Sequence, residues 1–318
     1  MDIQKKFEHA IIVECELGGP HNGASMAGRA FFSQFEQSTN VRETITTPIR
    51  KVRQSNTPKA HYLSDINHCL RDISEAVVNH YKQSPESRLL VVAGDHSTAC
   101  GTLAGLKRAH PKSKIGTIWI DAHADIHSPY TSPSGNVHGM PVAAAAGDDH
   151  IDFKIKELDE ETIKLWEATK DICQNSIEYN NLIYIGIRDL EKAEWDVITK
   201  NNINHYSVDA IENRDCSEVC SEIFLYLEHC EIIYISFDID ALDKRYVPGT
   251  GTPVKDGLSL EKTKEKKGTK EKEKGWERMA TAKKKILRGP GACRQLGKVS
   301  QYFVELYLMS QYMVQQYL

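Results

Sequence analysis

The run Asp121-Ala122-His123-Ala124-Asp125 sets a potential metal ligand at every second position. Side chains alternate along an extended segment, so this spacing predicts that Asp121, His123 and Asp125 point the same way. Asp238-Ile239-Asp240 repeats the pattern later in the chain with Asp243 close behind, and His96 stands in the turn Gly94-Asp95-His96-Ser97. Carboxylates and imidazoles gathered on one rim repel each other and resist burial unless cations hold them. Oxygen-rich ligation without thiolate favours Mn2+ over structural zinc. Carboxylates on neighbouring strands can bridge two such ions roughly 3.5–4 Å apart, the spacing that activates water for hydrolysis.

Each cluster follows a short β-branched run. Residues 88–93 lead into the His96 turn, 115–120 into Asp121, and 232–237 into Asp238, while 182–187 end at Arg188-Asp189. These runs are largely apolar rather than alternating, which predicts central parallel strands covered on both faces. Helix-period stretches at 64–82 and 159–169 lie between them. Strands alternating with helices predict an α/β doubly wound sheet, and ligands of such sheets bind beyond the carboxyl ends of the strands. Loops are commonly rich in Asp, so one cluster would mean little. Several clusters delivered to the same rim predict a site.

The 318 residues are 40% apolar and 26% charged, enough for one large α/β domain or two small ones. A net charge of −4 argues against a nucleic-acid partner. The charge is uneven: Lys262 to Arg288 holds twelve basic residues against four acidic ones, leaving the remainder acidic. The N-terminus lacks a secretory pattern, and no apolar run reaches the roughly 20 residues of a membrane helix. The cysteines follow no disulfide framework, which predicts reduced thiols and a cytoplasmic protein. Cys216, Cys220 and Cys230 with His229 fit no common zinc spacing and are expected to be helix-face and core residues.

The strings GDHS (94–97), DAHAD (121–125), SPSGNVHG (132–139), SFDIDALD (236–243) and GTGTP (249–253) resemble, in the same order, those of the ureohydrolase family. That family comprises arginase, agmatinase and formiminoglutamase, and arginase is the nearest match. The resemblance implies a three-layer α/β fold with a central, mostly parallel sheet, a homo-oligomer, and two Mn2+ per chain. It assigns one ion to His96, Asp121, Asp125 and Asp238, the other to His123, Asp121, Asp238 and Asp240, with Asp121 and Asp238 bridging. A water shared by the ions would become hydroxide near neutral pH and attack a guanidinium carbon, with Asp125 orienting it and His138 protonating the leaving amine.

The same resemblance matches Ser134 and Asn136 to residues that bind a substrate α-carboxylate. His127 stands where many arginases have Asn and can still donate a hydrogen bond. Glu191 and Glu194 match an acidic pair that reads the α-ammonium, and Thr252 a threonine near the guanidinium. Agmatine lacks the α-carboxylate, so this set favours L-arginine, hydrolysed to L-ornithine and urea. Formiminoglutamate shares the amino-acid end and is the nearest alternative.

The matching region runs from about Glu14 to Leu260, so residues 1–260 read as one metal-dependent hydrolase domain. Residues 261–290 form a Lys-rich low-complexity insertion or aberrant segment, and 291–318 a C-terminal strand or helix. The family places a further inner strand here, bearing a Glu that grips the guanidinium. Glu305, in Phe303-Val304-Glu305-Leu306, is the later candidate, although Tyr307-Leu308 replaces the expected Asn-Pro. The competing expectation is that the chain past Leu260 is unrelated to the domain. A missing inner strand would leave buried backbone groups unpaired, giving a metal-binding but impaired relative, and the sequence favours that outcome.

Overall fold

The computed structural model describes residues 9–33, 40–46, 55–259 and 301–307. In chain order its strands and α-helices are β1 (His9–Glu14), α1 (Ala27–Ser33), β2 (Asn40–Thr46), α2 (Leu63–Gln83), β3 (Leu89–Ala93), α3 (Ala99–Ala109), β4 (Ile115–Ile120), α4 (Pro141–Ala146), α5 (Glu160–Cys173), β5 (Leu182–Ile185), α6 (Lys192–Lys200), β6 (Asn204–Tyr206), α7 (Val208–Glu212), α8 (Cys216–Tyr226), β7 (Ile232–Asp238) and β8 (Gln301–Tyr307). The strands form one sheet in the order β2-β1-β3-β8-β7-β4-β5-β6, and every pairing is parallel. No described helix is long and apolar enough to cross a membrane.

The apolar runs become inner strands because both of their faces are covered. Leu89, Val91 and Ala93 of β3 join a large core, whereas Leu90 and Val92 pack with Ile12 and Phe31 on the other face. On β4 and β7, Ile118, Ile233 and Ile235 meet Val219 and Ile223 of α8. Helices therefore lie on both sides of the sheet, giving three layers.

The helices carry the expected periodicity. On α2, Leu63, Ile66, Leu70, Ile73, Val77 and Tyr81 are buried at spacings of three and four. Gly101 and Gly105 of α3 let this face approach closely, since an added Cβ would lie 2.7 Å from Ile73 Cβ and 2.5 Å from Val77 Cβ. Helix α5 starts where the Asp159 carboxylate accepts a hydrogen bond from the Thr162 amide at 2.8 Å.

Residues 301–307 are a strand, where the sequence left strand and helix open. β8 runs between β3 and β7, with Val304 opposite Leu90 and Ile235, and Glu305 opposite Val91 and Ser236. The Lys-rich segment 261–290, together with 291–300 and 308–318, lies outside the described residues.

Candidate metal centre and active site

Three strand ends meet at one rim. After β3, Asp95 caps a short 3-10 turn by accepting the Ser97 amide at 3.0 Å, and that turn carries His96. Trp119 of β4 stacks on the His96 ring at 4.2 Å and 8°. His96 Nε2 lies 2.6 Å from Ser236 Oγ, which fixes the ring with Nδ1 toward the carboxylates. His96 Nδ1 is then 3.0 Å from Asp121 Oδ2, 2.9 Å from Asp125 Oδ2 and 3.4 Å from Asp238 Oδ2.

A second group sits beside the first. His123 Nδ1 is 3.2 Å from Asp240 Oδ2 and 3.5 Å from Asp121 Oδ1, and its Nε2 is 3.5 Å from Asp189 Oδ2. The ligand-capable atoms of His96, Asp121 and Asp238 form one cluster, those of Asp121, His123 and Asp240 another, and Asp121 belongs to both. Asp121, Asp125, Asp238 and Asp240 are each no more than 5% exposed.

The convergence is achieved differently from the expected alternation. β4 ends at Ile120, and Asp125 adopts a left-handed backbone at φ 49°. This conformation is rare outside glycine and favours Asp and Asn among the exceptions. Asp238 closes β7, and its Oδ1 accepts the Asp240 amide at 3.0 Å, turning the chain through a 3-10 turn. The ligands meet because turns fold back on their own carboxylates, not because a strand continues.

These residues fit divalent cations. Asp121 Oδ2 is buried with no partner in hydrogen-bonding geometry. Burial, then repulsion from Asp240 and Asp121, pushes Asp238 up to about 8. Burial and Asp121 likewise push Asp125 up to about 6 and raise Asp240. Burial would raise Asp121 too, but the adjacent imidazoles of His123 and His96 outweigh it and hold that carboxyl low. Burial opposes protonation of His96 and His123, yet the carboxylates around them win and raise both. So many buried carboxylates keep their charge only by sharing protons or by holding cations.

A pH dependence follows. The raised groups bind more protons in the folded than in the unfolded chain, so their contribution to stability is present at low pH and lost as pH rises through their folded values. The metal-free protein should melt at a lower temperature at about pH 8 than at about pH 6, and Mn2+ should raise the melting temperature more at the higher pH. Calorimetry with and without Mn2+ checks this; an identical gain at both pH values would mean that these carboxylates do not receive the ion.

Of the expected substrate residues, Thr252 bonds directly to the metal-ligand cluster, its hydroxyl donating to Asp240 Oδ2 at 2.8 Å. His138 lies in the turn Val137–Gly139, with its amide donating to the Gly18 carbonyl at 3.2 Å. That loop is stitched to the metal-ligand loop, because the Gly139 carbonyl accepts the His127 amide and the Asp125 carbonyl accepts the Val142 amide, both at 3.0 Å. Ser134 is exposed and Asn136 partly so. His127 Nδ1 meets Thr131 Oγ1 at 3.0 Å, and Nε2 faces Glu191 Oε2 at 3.1 Å and Glu194 Oε2 at 3.7 Å.

Glu191 and Glu194 also have a local task, forming a reciprocal capping box at the start of α6. Bonding to His127 holds Glu191 at about 2, whereas burial and the neighbouring Glu191 raise Glu194 well above the usual carboxylate range. Sequence reasoning missed Ser236, Trp119 and Asp189. Ser236 was within reach, since it continues the two-residue spacing of Asp238 and Asp240 backward along β7. Glu305 enters only through its register opposite Ser236. Cys216, Cys220 and Cys230 gather no metal site among the described residues, and His229 Nε2 pairs with Asn181 Oδ1 at 2.6 Å.

Comparison with known proteins points to one family. A family model described as the arginase family matches residues 10–266. The arginase of Entamoeba histolytica is 31% identical over 229 residues, covering 72% of this chain and 71% of that protein. The arginase of Neurospora crassa is 36% identical over 199 residues, 61% of this chain but only 52% of the relative. Among solved structures, the Entamoeba histolytica arginase in complex with L-ornithine superposes with a TM-score of 0.72 at 24% identity, covering 98% of this chain and 97% of that one. A family match over most of the length, a relative 31% identical over 72% of the chain and a shared fold place this chain among the hydrolases of the arginase family.

Proposed function

We propose that this chain hydrolyses the guanidinium group of L-arginine to L-ornithine and urea, with two Mn2+ ions at the rim. The observation that carries this reading is the pair of imidazole–carboxylate clusters sharing Asp121. His96, Asp121, Asp125 and Asp238 would hold one ion; His123, Asp121, Asp238 and Asp240 would hold the other. The mixed oxygen and imidazole set, free of thiolates, suits manganese. When bound, such a pair of ions lowers the pKa of a water and makes it a nucleophile near neutral pH.

The remaining work falls to side chains of this chain. Asp125 accepts a hydrogen bond from the attacking water and so aims it at the guanidinium carbon. His138, part-exposed on its turn, delivers a proton to the leaving amine and recovers it from solvent. Thr252, bonded to Asp240, lies beside the guanidinium end. Ser134, Asn136 and His127 hold the α-carboxylate, while Glu191 and Glu194 face the α-ammonium. The relatives named arginase support arginine over the other guanidino and formimino substrates. A cytoplasmic location is supported by the spacing of the cysteines, which follows no disulfide framework.

The test is urea and ornithine release by the Mn2+-loaded full chain, with agmatine and formiminoglutamate in parallel. Arginine should be the best substrate. Asn136→Ala and Glu191→Gln should each lower arginine turnover at low substrate by roughly ten- to a hundredfold, the value of a hydrogen bond to a charged group. Agmatine, lacking the α-carboxylate, should be nearly untouched by Asn136→Ala. Gln is chosen at Glu191 because it keeps an acceptor for the α6 cap. Equal losses on both substrates in Asn136→Ala would reject the carboxylate subsite, and a preference for agmatine or formiminoglutamate in the unaltered chain would replace arginine.

A further inference from the structure

Arg188 follows β5 and spends its guanidinium on main-chain carbonyls. Nε donates to Lys255 at 2.8 Å, Nη1 to Gly186 at 3.1 Å and Ala241 at 3.3 Å, and Nη2 to Asp240 at 2.9 Å, Leu242 at 3.3 Å and Val254 at 3.3 Å. Among the described residues no carboxylate lies within ion-pair distance of it. A guanidinium beside carboxylates ordinarily pairs with one of them; this one is used as a rigid fork of donors joining separate segments. Those segments are the end of β5, the turn after β7, and the stretch at 254–255 that follows Thr252.

The backbone of Arg188 extends the same clamp. Its amide donates to the Ala122 carbonyl at 2.8 Å, between Asp121 and His123, and the Asp189 amide donates to the same carbonyl at 3.1 Å. Asp240, held by its carbonyl, also receives the Thr252 hydroxyl and the Ala122 amide on its carboxylate. Of these ties, the bond from Arg188 to the Asp240 carbonyl reaches a member of the cluster of Asp121, His123 and Asp240 directly, and those to Ala122 and Ala241 fall on residues next to its members. None ends on His96 or Asp125, which are held from β3, Ser236 and the 138–142 loop.

We infer that Arg188 is a positioning residue for one of the two ion sites, the one built on His123 and Asp240, and not for the His96 site. The inference rests on the two-ion reading above. Lysine would keep the charge but, with a single compact ammonium, could not span the segments. Gly257 offers a second handle, because a Cβ there would lie 2.5 Å from Arg188 Nη2 and equally close to Leu242 C and Asp243 N, the backbone that the clamp holds.

The experiment is a Mn2+ titration of the full chain followed by electron paramagnetic resonance, on the unaltered protein, Arg188→Lys and Gly257→Ala. The unaltered chain should take up two equivalents and show an exchange-coupled pair. The first equivalent in Arg188→Lys should bind nearly as in the parent, and the second should weaken by roughly ten- to a hundredfold, leaving a mononuclear six-line signal at stoichiometric metal. Gly257→Ala should shift the same way. Two unchanged sites in Arg188→Lys would overturn the inference. So would equal weakening of both sites, or loss of the fold in both variants, because Arg188 would then be a general structural clamp. An unaltered chain that binds fewer than two Mn2+ would remove the two-ion reading itself, and the inference with it.

Discussion

Replacing His138 by alanine should leave the bound metal unchanged and lower arginine turnover by roughly a hundred- to ten-thousandfold, the usual worth of general acid–base transfer. The leaving amine of a guanidinium must gain a proton before it departs, and on the two-ion reading the buried carboxylates of the rim would be taken up by cations. His138 belongs to neither imidazole–carboxylate cluster. Its turn is nevertheless anchored next to them, through the Gly139 carbonyl to His127 and through Asp125 to Val142. Partial exposure gives it the access to solvent that a proton shuttle needs. Turnover and metal content measured on the same samples decide the matter. A fall of both together would make His138 a ligand or a structural group and remove it from the chemistry.

Where the sequence carried local periodicity, it was legible. The buried spacing of α2 and the Asp159 cap of α5 depend on near neighbours, so 64–82 and 159–169 read as helices without knowledge of the rest. The inner strands read correctly because continuous apolar runs have few other uses in a chain of this size. The rim clusters could be identified by residue type, but their geometry could not. Extended alternation predicted a common direction for Asp121, His123 and Asp125, whereas the left-handed Asp125 and the turn closed by Asp238 bring the ligands together. Such turns depend on side chain–backbone bonds that no hydrophobic pattern records.

Glu191 and Glu194 show the opposite difficulty. A short acidic pair at the start of a helix serves capping and ligand recognition equally well, and the capping box was hidden because its first residue is Glu instead of the usual Ser or Thr. Arg188 could not be read at all. Apart from Gly186, its partners are carbonyls from segments more than fifty residues away, and backbone acceptors leave no mark in a sequence.

Glu305→Gln should abolish most urea release while leaving metal content intact. The sequence reading favoured an unrelated tail, for the Lys-rich run stands where the family has an inner strand. β8 nevertheless pairs with both β3 and β7, so the hydrogen-bonding edges of those two strands meet in a continuous ladder. The register sets Glu305 opposite Ser236, the residue whose hydroxyl holds His96. If this carboxylate takes the guanidinium-binding role that the family resemblance assigns to it, a neutral amide in its place would leave that cation without its charge partner. Removing one member of a buried pair costs roughly 3–5 kcal/mol. At about 1.4 kcal/mol per tenfold, arginine hydrolysis at low substrate should fall by roughly a hundred- to a few-thousandfold. Deleting the chain after Leu260 provides the contrast. If β8 completes the sheet, the deletion should cost folding as well as activity, because β3 and β7 lose a shared neighbour. Full activity in Glu305→Gln would deny this carboxylate its role, and a folded, equally active truncation would show that the domain ends before β8.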